Sequence, residues 1–286
     1  MKRGKLLVLP AMGWLTLFFA LPLLIVVAVS FASRTAYGQV VFQWTLNNYL
    51  RFFEPLYLTI FATTILTALL TTAVTFALGY PVAYTIAMLL PKRWQQAGII
   101  IVMIPFWINF LIRSFAWVII LRSQGVVNTL LLHLGLIQKP LTLLYNDAAV
   151  LLGMVYALLP FMVLPIYVSL EQMDKRLLEA SSDLGATPLV SFRRITLPLT
   201  MPGVAAGSIL VFISSLGMFV VPDIMGGAKS ALIGNIIQNQ FLSARDWPFG
   251  SALSIILAFL ALIMILLYYR ALKAQKGGRT HEEHLA

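Results

Sequence analysis

The sequence predicts an all-α fold with six membrane-spanning helices, and three features of the chain support that prediction. Hydrophobic residues make up 60% of its 286 residues, whereas only 10% are charged. Its mean hydropathy of +0.91 exceeds what the core of a soluble domain requires. Six charge-poor runs are each long enough to cross a hydrocarbon core, which takes about 20 helical residues. We therefore expect residues 1–286 to form a single transmembrane domain.

The six runs follow one another along the chain, and each is interpreted as one helix. They are Leu6–Phe31, Leu58–Leu90, Ala97–Leu121, Ala148–Leu170, Met201–Val221 and Gly250–Tyr269. An alternative interpretation of the first run is a cleaved signal peptide. Its apolar part is about twice as long as a usual signal core, which favours a retained anchor. The second run carries no charge from Leu56 to Pro91, so we expect it to tilt or break near Leu78–Pro81.

Two connecting segments are apolar but too short to cross a membrane. The stretch "VVNTLLLHLGLIQ", Val126–Gln138, is expected to lie along the outer surface or to pack against the spans. The stretch "ALIGNIIQNQF", within the last outer loop, Gly226–Phe249, has the same interpretation. At the end of the chain, residues 274–286 are expected to form a flexible tail.

The basic residues separate into two groups when the six runs are placed across a membrane. Of the 20 Lys and Arg residues, thirteen fall on the side that carries both termini, six fall on the opposite side, and Arg113 lies inside the third run. By the positive-inside rule, both termini are cytoplasmic. The net charge of +10 is thus explained by membrane topology rather than by binding to nucleic acid.

The scarcity of reactive side chains argues against an enzyme. The chain has no cysteine and three scattered histidines, which offer neither a thiol nucleophile nor a clustered metal site. The stretch "GGAKS", Gly226–Ser230, resembles the end of a nucleotide-binding loop, but Ala228 stands where that loop requires glycine. We interpret it as a turn or gate, and we expect no metal, catalytic residue or cofactor in this chain.

Ionisable groups within the predicted spans are also rare. Arg113 lies inside one run, and Asp147 and Asp223 fall at outer ends of others. A carrier driven by protons or sodium usually needs more such groups and often shows two related halves, which this chain lacks. The energy for transport is therefore expected to come from a partner, although an ATP-independent channel or secondary carrier stays an alternative.

The cytoplasmic loop of residues 171–200 is polar and carries a helix-turn-helix pattern. Asp174 is placed to cap a short helix, which Gly185 ends in a left-handed conformation. Thr187 and Pro188 begin a second helix, which Pro198 is expected to stop. Apolar side chains on this loop favour a socket in another protein, although an amphipathic hairpin on the inner membrane surface would present the same pattern. The apolar positions are Leu177, Leu178, Leu184, Leu189, Phe192 and Ile195.

The spacing Glu179-Ala180-Ser181, followed by Gly185, resembles the E-A-A-x-x-x-G loop of permeases from ABC importers. Ser181 stands where the family more often has alanine, and both residues are small. The resemblance implies a type I, MetI-like permease fold in which this loop docks on a cytoplasmic ATPase. The positions that it implies for ATPase coupling are Glu179, Ala180, Ser181, Gly185, Phe192 and Pro198.

Further stretches extend the resemblance over nearly the whole chain. Pro105–Arg122, Gly217–Leu242 and Arg245–Ser254 are similar to the permeases of spermidine/putrescine importers. That resemblance implies half of a polyamine path in a bacterial inner membrane, completed by a second homologous permease subunit. It also implies an ATPase dimer that binds ATP and Mg²⁺, and a periplasmic or extracellular substrate-binding protein. An ABC permease for another small solute is the nearest alternative.

A path for polyamines should offer carboxylates for ammonium groups and aromatic faces that hold them. Asp223, with Phe219 one turn earlier, is the leading pair of candidates. Alternatively, Asp223 caps a helix or pairs with Lys229 or Arg113. Further candidates are Trp107 and Tyr156, and then Asp147 and Asp246.

Overall fold

The computed structural model describes residues 10, 12–35, 37–227 and 230–282, and six of its helical segments are long and apolar enough to cross a membrane. The six-span prediction is thereby confirmed. Some residues that support two of the predictions lie outside the described residues. They are Lys2, Arg3 and Lys5, which belong to the charge count, and Lys229, which belongs to the turn or gate. The candidate spans are Met12–Ser30, Pro55–Leu89, Phe110–His133, Asp147–Glu171, Pro188–Leu216 and Trp247–Arg270.

Helices form almost all of the described chain. They are α1 (Leu21–Ser30), α2 (Asn47–Phe52), α3 (Pro55–Tyr84), α4 (Lys92–Trp107), α5 (Phe110–Leu121), α6 (Val126–His133), α7 (Asp147–Glu171), α8 (Arg176–Asp183), α9 (Pro188–Ser191), α10 (Leu197–Leu216), α11 (Ile233–Leu242) and α12 (Trp247–Glu282). Four five-residue π-helical turns occur at Thr16–Ala20, Thr85–Leu89, Phe192–Thr196 and Pro222–Gly226. Strands β1 (Ser33–Arg34) and β2 (Val40–Val41) pair antiparallel, with Ser33 opposite Val41.

The core is a bundle of α3, α7 and α10, in which α7 packs against both neighbours. Met162, Ile166 and Leu170 of α7 are completely buried there. Small residues let the backbones approach closely, as is usual between membrane helices. At Gly207 of α10, an added Cβ would lie only 2.9 Å from the sulfur of Met162.

The third predicted span is wrong as a single helix. The chain leaves the helical conformation at Ile108 and Asn109, so α4 ends and α5 begins inside the predicted run Ala97–Leu121. Pro105 has removed one backbone donor in the preceding turn. The side chain of Asn109 then caps the new helix by accepting a hydrogen bond from the Leu111 N–H at 2.9 Å.

Pro81 does not break the second span. Helix α3 passes through it, and the irregularity comes one turn later, where the Leu90 N–H reaches back to the Thr85 carbonyl at 3.0 Å. The continuous segment Pro55–Leu89 contains 35 residues. At about 1.5 Å per residue it is roughly 52 Å long, well over the ~30 Å hydrocarbon core. It must therefore tilt or project beyond the membrane.

The two short apolar segments form helices of their own, although the third candidate span, Phe110–His133, takes in both α5 and α6. Helix α6 is separated from α5 by a turn that the Gly125 N–H closes on the Arg122 carbonyl at 2.7 Å. The buried side chain of Asn128 fixes α6 by exchanging two hydrogen bonds with the backbone of Leu141, at 2.8 and 3.0 Å. Helix α11 lies against α12. Helix α12 continues to Glu282, and the flexibility of residues 274–286 stays a prediction.

Candidate functional site

The cytoplasmic loop folds as a helix, a left-handed turn and a second helix. The Asp174 carboxylate accepts a hydrogen bond from the Arg176 N–H at 3.0 Å just before α8, although the N-cap position itself is Lys175. Gly185 has φ of +77°, while the Ala186 N–H bonds to the Ser181 carbonyl and the Gly185 N–H to the Ser182 carbonyl, at 3.0 and 2.9 Å. These two bonds define a Schellman motif, which requires the left-handed residue. The predicted turn at Gly185 is confirmed.

Pro198 does not stop the second helix, contrary to the prediction. One continuous helical segment runs for 29 residues from Pro188 to Leu216. The π-helical turn before Pro198 is the physical reason: the Leu197 N–H bonds to the carbonyl of Phe192, five residues back. This wider turn accommodates a residue that lacks an N–H and crowds the preceding carbonyl. The loop is therefore joined rigidly to the fifth span, which begins earlier than the predicted Met201–Val221.

Four of the six residues implied for coupling are exposed, and three of them surround the turn. Glu179, Ala180 and Gly185 are exposed, and nothing lies within 4 Å of the position of a Cβ at Gly185. Leu184 and Leu189 flank the turn with 88% and 75% of their surface exposed. Two leucines exposed to this extent beside an open turn form a compact apolar surface suited to a protein partner.

The other coupling candidates hold the loop to the bundle, apart from Pro198, which lies exposed at the start of α10. The buried hydroxyls of Ser181 and Ser191 lie 2.6 Å apart and join α8 to α9. Phe192 packs edge-on against Tyr80 of α3, with ring centroids 5.5 Å apart. Neither Ser191 nor Tyr80 was identified from the sequence, because no local pattern distinguishes them from other small or aromatic residues of the chain.

A cavity of about 760 Å³ lies beside the start of α8. Tyr167 and Glu171 at the end of α7 line it, together with Lys92 at the start of α4. The Lys175 ammonium spans its edge and donates to the Ala87 carbonyl at 3.3 Å. This contact is long and partly open to solvent, so α8 has both a tether and space in which to shift.

At the opposite end of the bundle, Asp223 lies exposed in the turn Pro222–Gly226. The side-chain amide of Asn235 donates to its Oδ1 at 2.6 Å and also to the Phe219 carbonyl at 2.9 Å. Within the described part of the chain, no Lys or Arg nitrogen lies within 4.0 Å of Asp223, so the alternative pairing with Arg113 is not observed. The alternative pairing with Lys229 lies outside the described residues.

The remaining path candidates, Trp107 and Tyr156, lie on α4 and α7 rather than on the segment that carries Asp223. Trp107 is 72% exposed at the end of α4. The ring of Tyr156 packs edge-on against Trp117, with centroids 5.5 Å apart. Arg113, which the sequence analysis left without a role, is only 8% exposed, and its guanidinium lies 5.5 Å from the ring centroid of Phe110.

The two other carboxylates near this end are already occupied. Asp246 is 5% exposed and binds Arg51 at 2.8 Å and Arg34 at 3.7 Å. Burial alone would lower the pKa of Arg51, but its hydrogen bonds to Asp246 and Tyr57 raise that pKa above its ordinary value. Asp147 accepts a hydrogen bond from the Ser230 hydroxyl at 2.6 Å. Of the three, Asp246 is thus a structural anchor between α2 and the start of α12.

Comparison with known proteins gives consistent matches along the chain. The family model described as binding-protein-dependent transport system inner membrane component matches residues 79–276. The spermidine/putrescine transport system permease protein PotB of Escherichia coli (strain K12) is 45% identical over 265 residues, covering 93% of this chain and 96% of PotB. PotC of the same strain, also named as a spermidine/putrescine permease, is 35% identical over 122 residues, covering 43% of this chain and 46% of PotC.

Solved structures share the architecture at lower identity. The crystal structure of a bacterial ABC transporter involved in the import of the acidic polysaccharide alginate gives a TM-score of 0.75 at 20% identity, covering 94% of this chain and 96% of the other. A structure of a bacterial alginate ABC transporter in complex with an alginate pentasaccharide-bound periplasmic protein gives 0.73, also at 20% identity, with 93% of each chain covered. At this identity the likeness concerns the fold alone.

Proposed function

The chain belongs to the family of binding-protein-dependent transport system inner membrane components, and from that premise we propose that it forms half of the translocation path of an ATP-driven importer for spermidine and putrescine. Family membership confirms the resemblance to ABC importer permeases that the sequence indicated. As a member of that family the chain is a permease subunit of the inner membrane rather than an enzyme. The observation that carries the proposed substrate is the 45% identity to a spermidine/putrescine permease over 93% of the chain.

Three partners follow from this proposal. A second, homologous permease subunit completes the path, which the similarity to both PotB and PotC supports. A periplasmic protein delivers the substrate, by analogy with the alginate transporter that was solved in complex with a loaded periplasmic protein. A cytoplasmic ATPase dimer binds ATP and Mg²⁺ and contacts residues 171–200 of the single transmembrane domain, residues 1–286.

The docking surface for the ATPase is the exposed side of the turn at Gly185. Leu184 and Leu189 enter an apolar socket, while Glu179 and Ala180 lie along its edge. Burying one leucine side chain contributes about 1.5 to 3 kcal/mol, so the two leucines supply much of the apolar part of this contact. Ser181 and Phe192 act indirectly, by fixing the shape of the loop and its attachment to the bundle, whereas Pro198 lies exposed at the start of α10.

The continuous segment Pro188–Leu216 carries movement of this surface across the membrane. Its 29 residues make a helix of about 43 Å, which ends just before the segment that carries Phe219 and Asp223. ATP binding closes the ATPase dimer and displaces α8 into the adjacent cavity. Because α9 and α10 form one helix, the displacement reaches the outer end and alternates access to the path.

At the outer end, Asp223 receives an ammonium group of the substrate and Phe219 offers an aromatic face. Asp223 suits this role because it is exposed and is held by a neutral amide rather than by a described cation. Trp107 and Tyr156 are further candidates for the path, at positions that the second permease subunit would complete.

The decisive experiment measures ATP hydrolysis by the complex purified through this subunit, with binding protein loaded with spermidine, putrescine or an unrelated sugar. Stimulation by the polyamine-loaded protein alone is the expected result. An ATPase that co-purifies without responding to polyamines would refute the substrate and leave an importer of another small solute. Uptake into vesicles that lack any ATPase would instead establish a channel or secondary carrier.

A further inference from the structure

Arg113 is a buried cation that the proposed transport cycle does not yet use. Its Nε and Nη1 atoms are fully buried and have no hydrogen-bond partner among the described residues. Within that part of the chain, no carboxylate oxygen lies within 4.0 Å of its guanidinium. Buried charges are normally paired, because leaving water without a partner is costly. An arginine in this state calls for an anion that reaches it at another stage of the cycle.

The face of α5 that carries Arg113 indicates where this anion lies. Phe110 precedes Arg113 by three residues and Trp117 follows it by four, so all three share one side of the helix. Phe110 and Trp117 both pack against the buried cluster that contains Val221 and Met225. Arg113 lies on this side of α5, and α5 contacts the segment that forms the turn Pro222–Gly226.

That segment carries one carboxylate, and its present partner is exchangeable. Asp223 accepts a hydrogen bond from the neutral amide of Asn235 through Oδ1. A guanidinium makes a stronger, charge-assisted and bidentate bond to a carboxylate than a neutral amide does. π-Helical turns such as Pro222–Gly226 occur often at functional sites.

We propose that Asp223 exchanges partners during transport, from Asn235 in the present structure to Arg113 in the alternate state. The ion pair forms when the outer turn moves toward α5, and it cancels the charge that holds an ammonium group. Arg113 thus acts as a positioning residue. It binds Asp223 in place of the cationic substrate, and the substrate is released inward. This role rests on the proposed function for the substrate, whereas the ion pair itself does not depend on which solute is carried.

Disulfide cross-linking reports whether positions 113 and 223 approach each other, and the chain has no cysteine of its own to interfere. The double variant Arg113→Cys with Asp223→Cys is assembled in the full complex and oxidised without nucleotide, with ATP and with ATP trapped by vanadate. The pair Asp223→Cys with Asn235→Cys joins positions already in contact and serves as the control for reactivity. We expect opposite nucleotide dependence for the two pairs. A control pair that cross-links while the Arg113 pair stays unlinked in all three conditions would overturn the proposal.

Exchanging the charges of Arg113 and Asp223 provides a second test. An arginine with a purely structural role would not give the result that we expect. Arg113→Asp and Asp223→Arg should each lower the ATP hydrolysis stimulated by loaded binding protein by about tenfold or more, and the double variant should recover most of it. Absence of any recovery would contradict the pair. A comparable loss in Lys229→Gln, with Arg113→Gln unaffected, would assign the counter-charge to Lys229 and likewise refute the role of Arg113.

These outcomes separate the ion pair from the proposed substrate. If the wild-type complex fails to respond to polyamines but the Arg113 pair cross-links with the expected nucleotide dependence, the substrate is wrong and the exchange of partners stands. If the wild-type complex responds to polyamines and the pair never forms, the exchange is wrong and the proposed function stands.

Discussion

Replacing Gly185 with valine should uncouple ATP hydrolysis from transport without unfolding the protein. The residue has φ of +77°, and a Cβ there would meet nothing within 4 Å, so the penalty is conformational rather than steric. A left-handed conformation costs a residue with a side chain about 1 to 2 kcal/mol, and a β-branched one lies at the upper end. That energy lowers the population of the native turn by roughly 5- to 30-fold, relative to alternatives in which Leu184 and Leu189 are no longer presented together.

The assay compares ATP hydrolysis with uptake in proteoliposomes that contain the full complex. Gly135→Val is a matched control, because Gly135 has φ of +68°, also has open space around its Cβ position, and lies in the outer segment after α6. We expect uptake per ATP to fall in Gly185→Val and to stay near the wild-type value in Gly135→Val. Gly185→Asn should retain more coupling, since asparagine tolerates the left-handed region. Normal coupling in Gly185→Val, or an equal loss in both valine variants, would refute the reasoning.

Three further changes address the loop and the helix packing. Ser181→Ala should destabilise the complex by about 1 to 3 kcal/mol in thermal unfolding, because it leaves the buried Ser191 hydroxyl without its partner. Ser191→Ala should cost less, because the Ser181 hydroxyl keeps its bond to the Leu178 carbonyl at 3.1 Å, and the double variant should cost less than the sum of the two. Leu184→Glu should weaken association with the ATPase by about 10- to 100-fold in co-purification titrations, since it places a charge in the apolar contact. Gly203→Ala should lower the unfolding temperature, because its Cβ would collide with a backbone carbonyl of α7, whereas Gly217→Ala has open space and should not.

For each of these expectations, one experimental result would contradict it. Strictly additive losses for the two serine variants would mean that their hydroxyls do not interact. Undiminished ATPase binding by Leu184→Glu would remove the exposed leucines from the docking surface. Equal unfolding temperatures for the two alanine variants at Gly203 and Gly217 would contradict the close approach of α10 to α7.

The transmembrane architecture and the turn at Gly185 were predictable because both are encoded locally. A span is recognised from about 20 consecutive apolar residues, and a left-handed turn from a glycine that follows a short amphipathic helix. Predictions failed where the effect of a proline or an asparagine depends on the conformation of the helix around it. Pro198 was expected to end a helix but is accommodated by a π-helical turn, whereas the break at Asn109 lay hidden inside an uninterrupted apolar run.

Local sequence patterns were enough to predict six membrane-spanning segments and a helix-turn-helix loop on the side rich in Lys and Arg. Those properties depend on hydrophobicity, charge and turn chemistry, which are read from neighbouring residues. The pairing of polar groups became visible only in the folded chain: Ser181 bonds to Ser191 across the loop, Asn235 to Asp223, and Arg51 to Asp246 across 195 positions. The physical reason is that such contacts depend on how separate helices pack, and packing is set by the shapes of whole surfaces rather than by any local pattern.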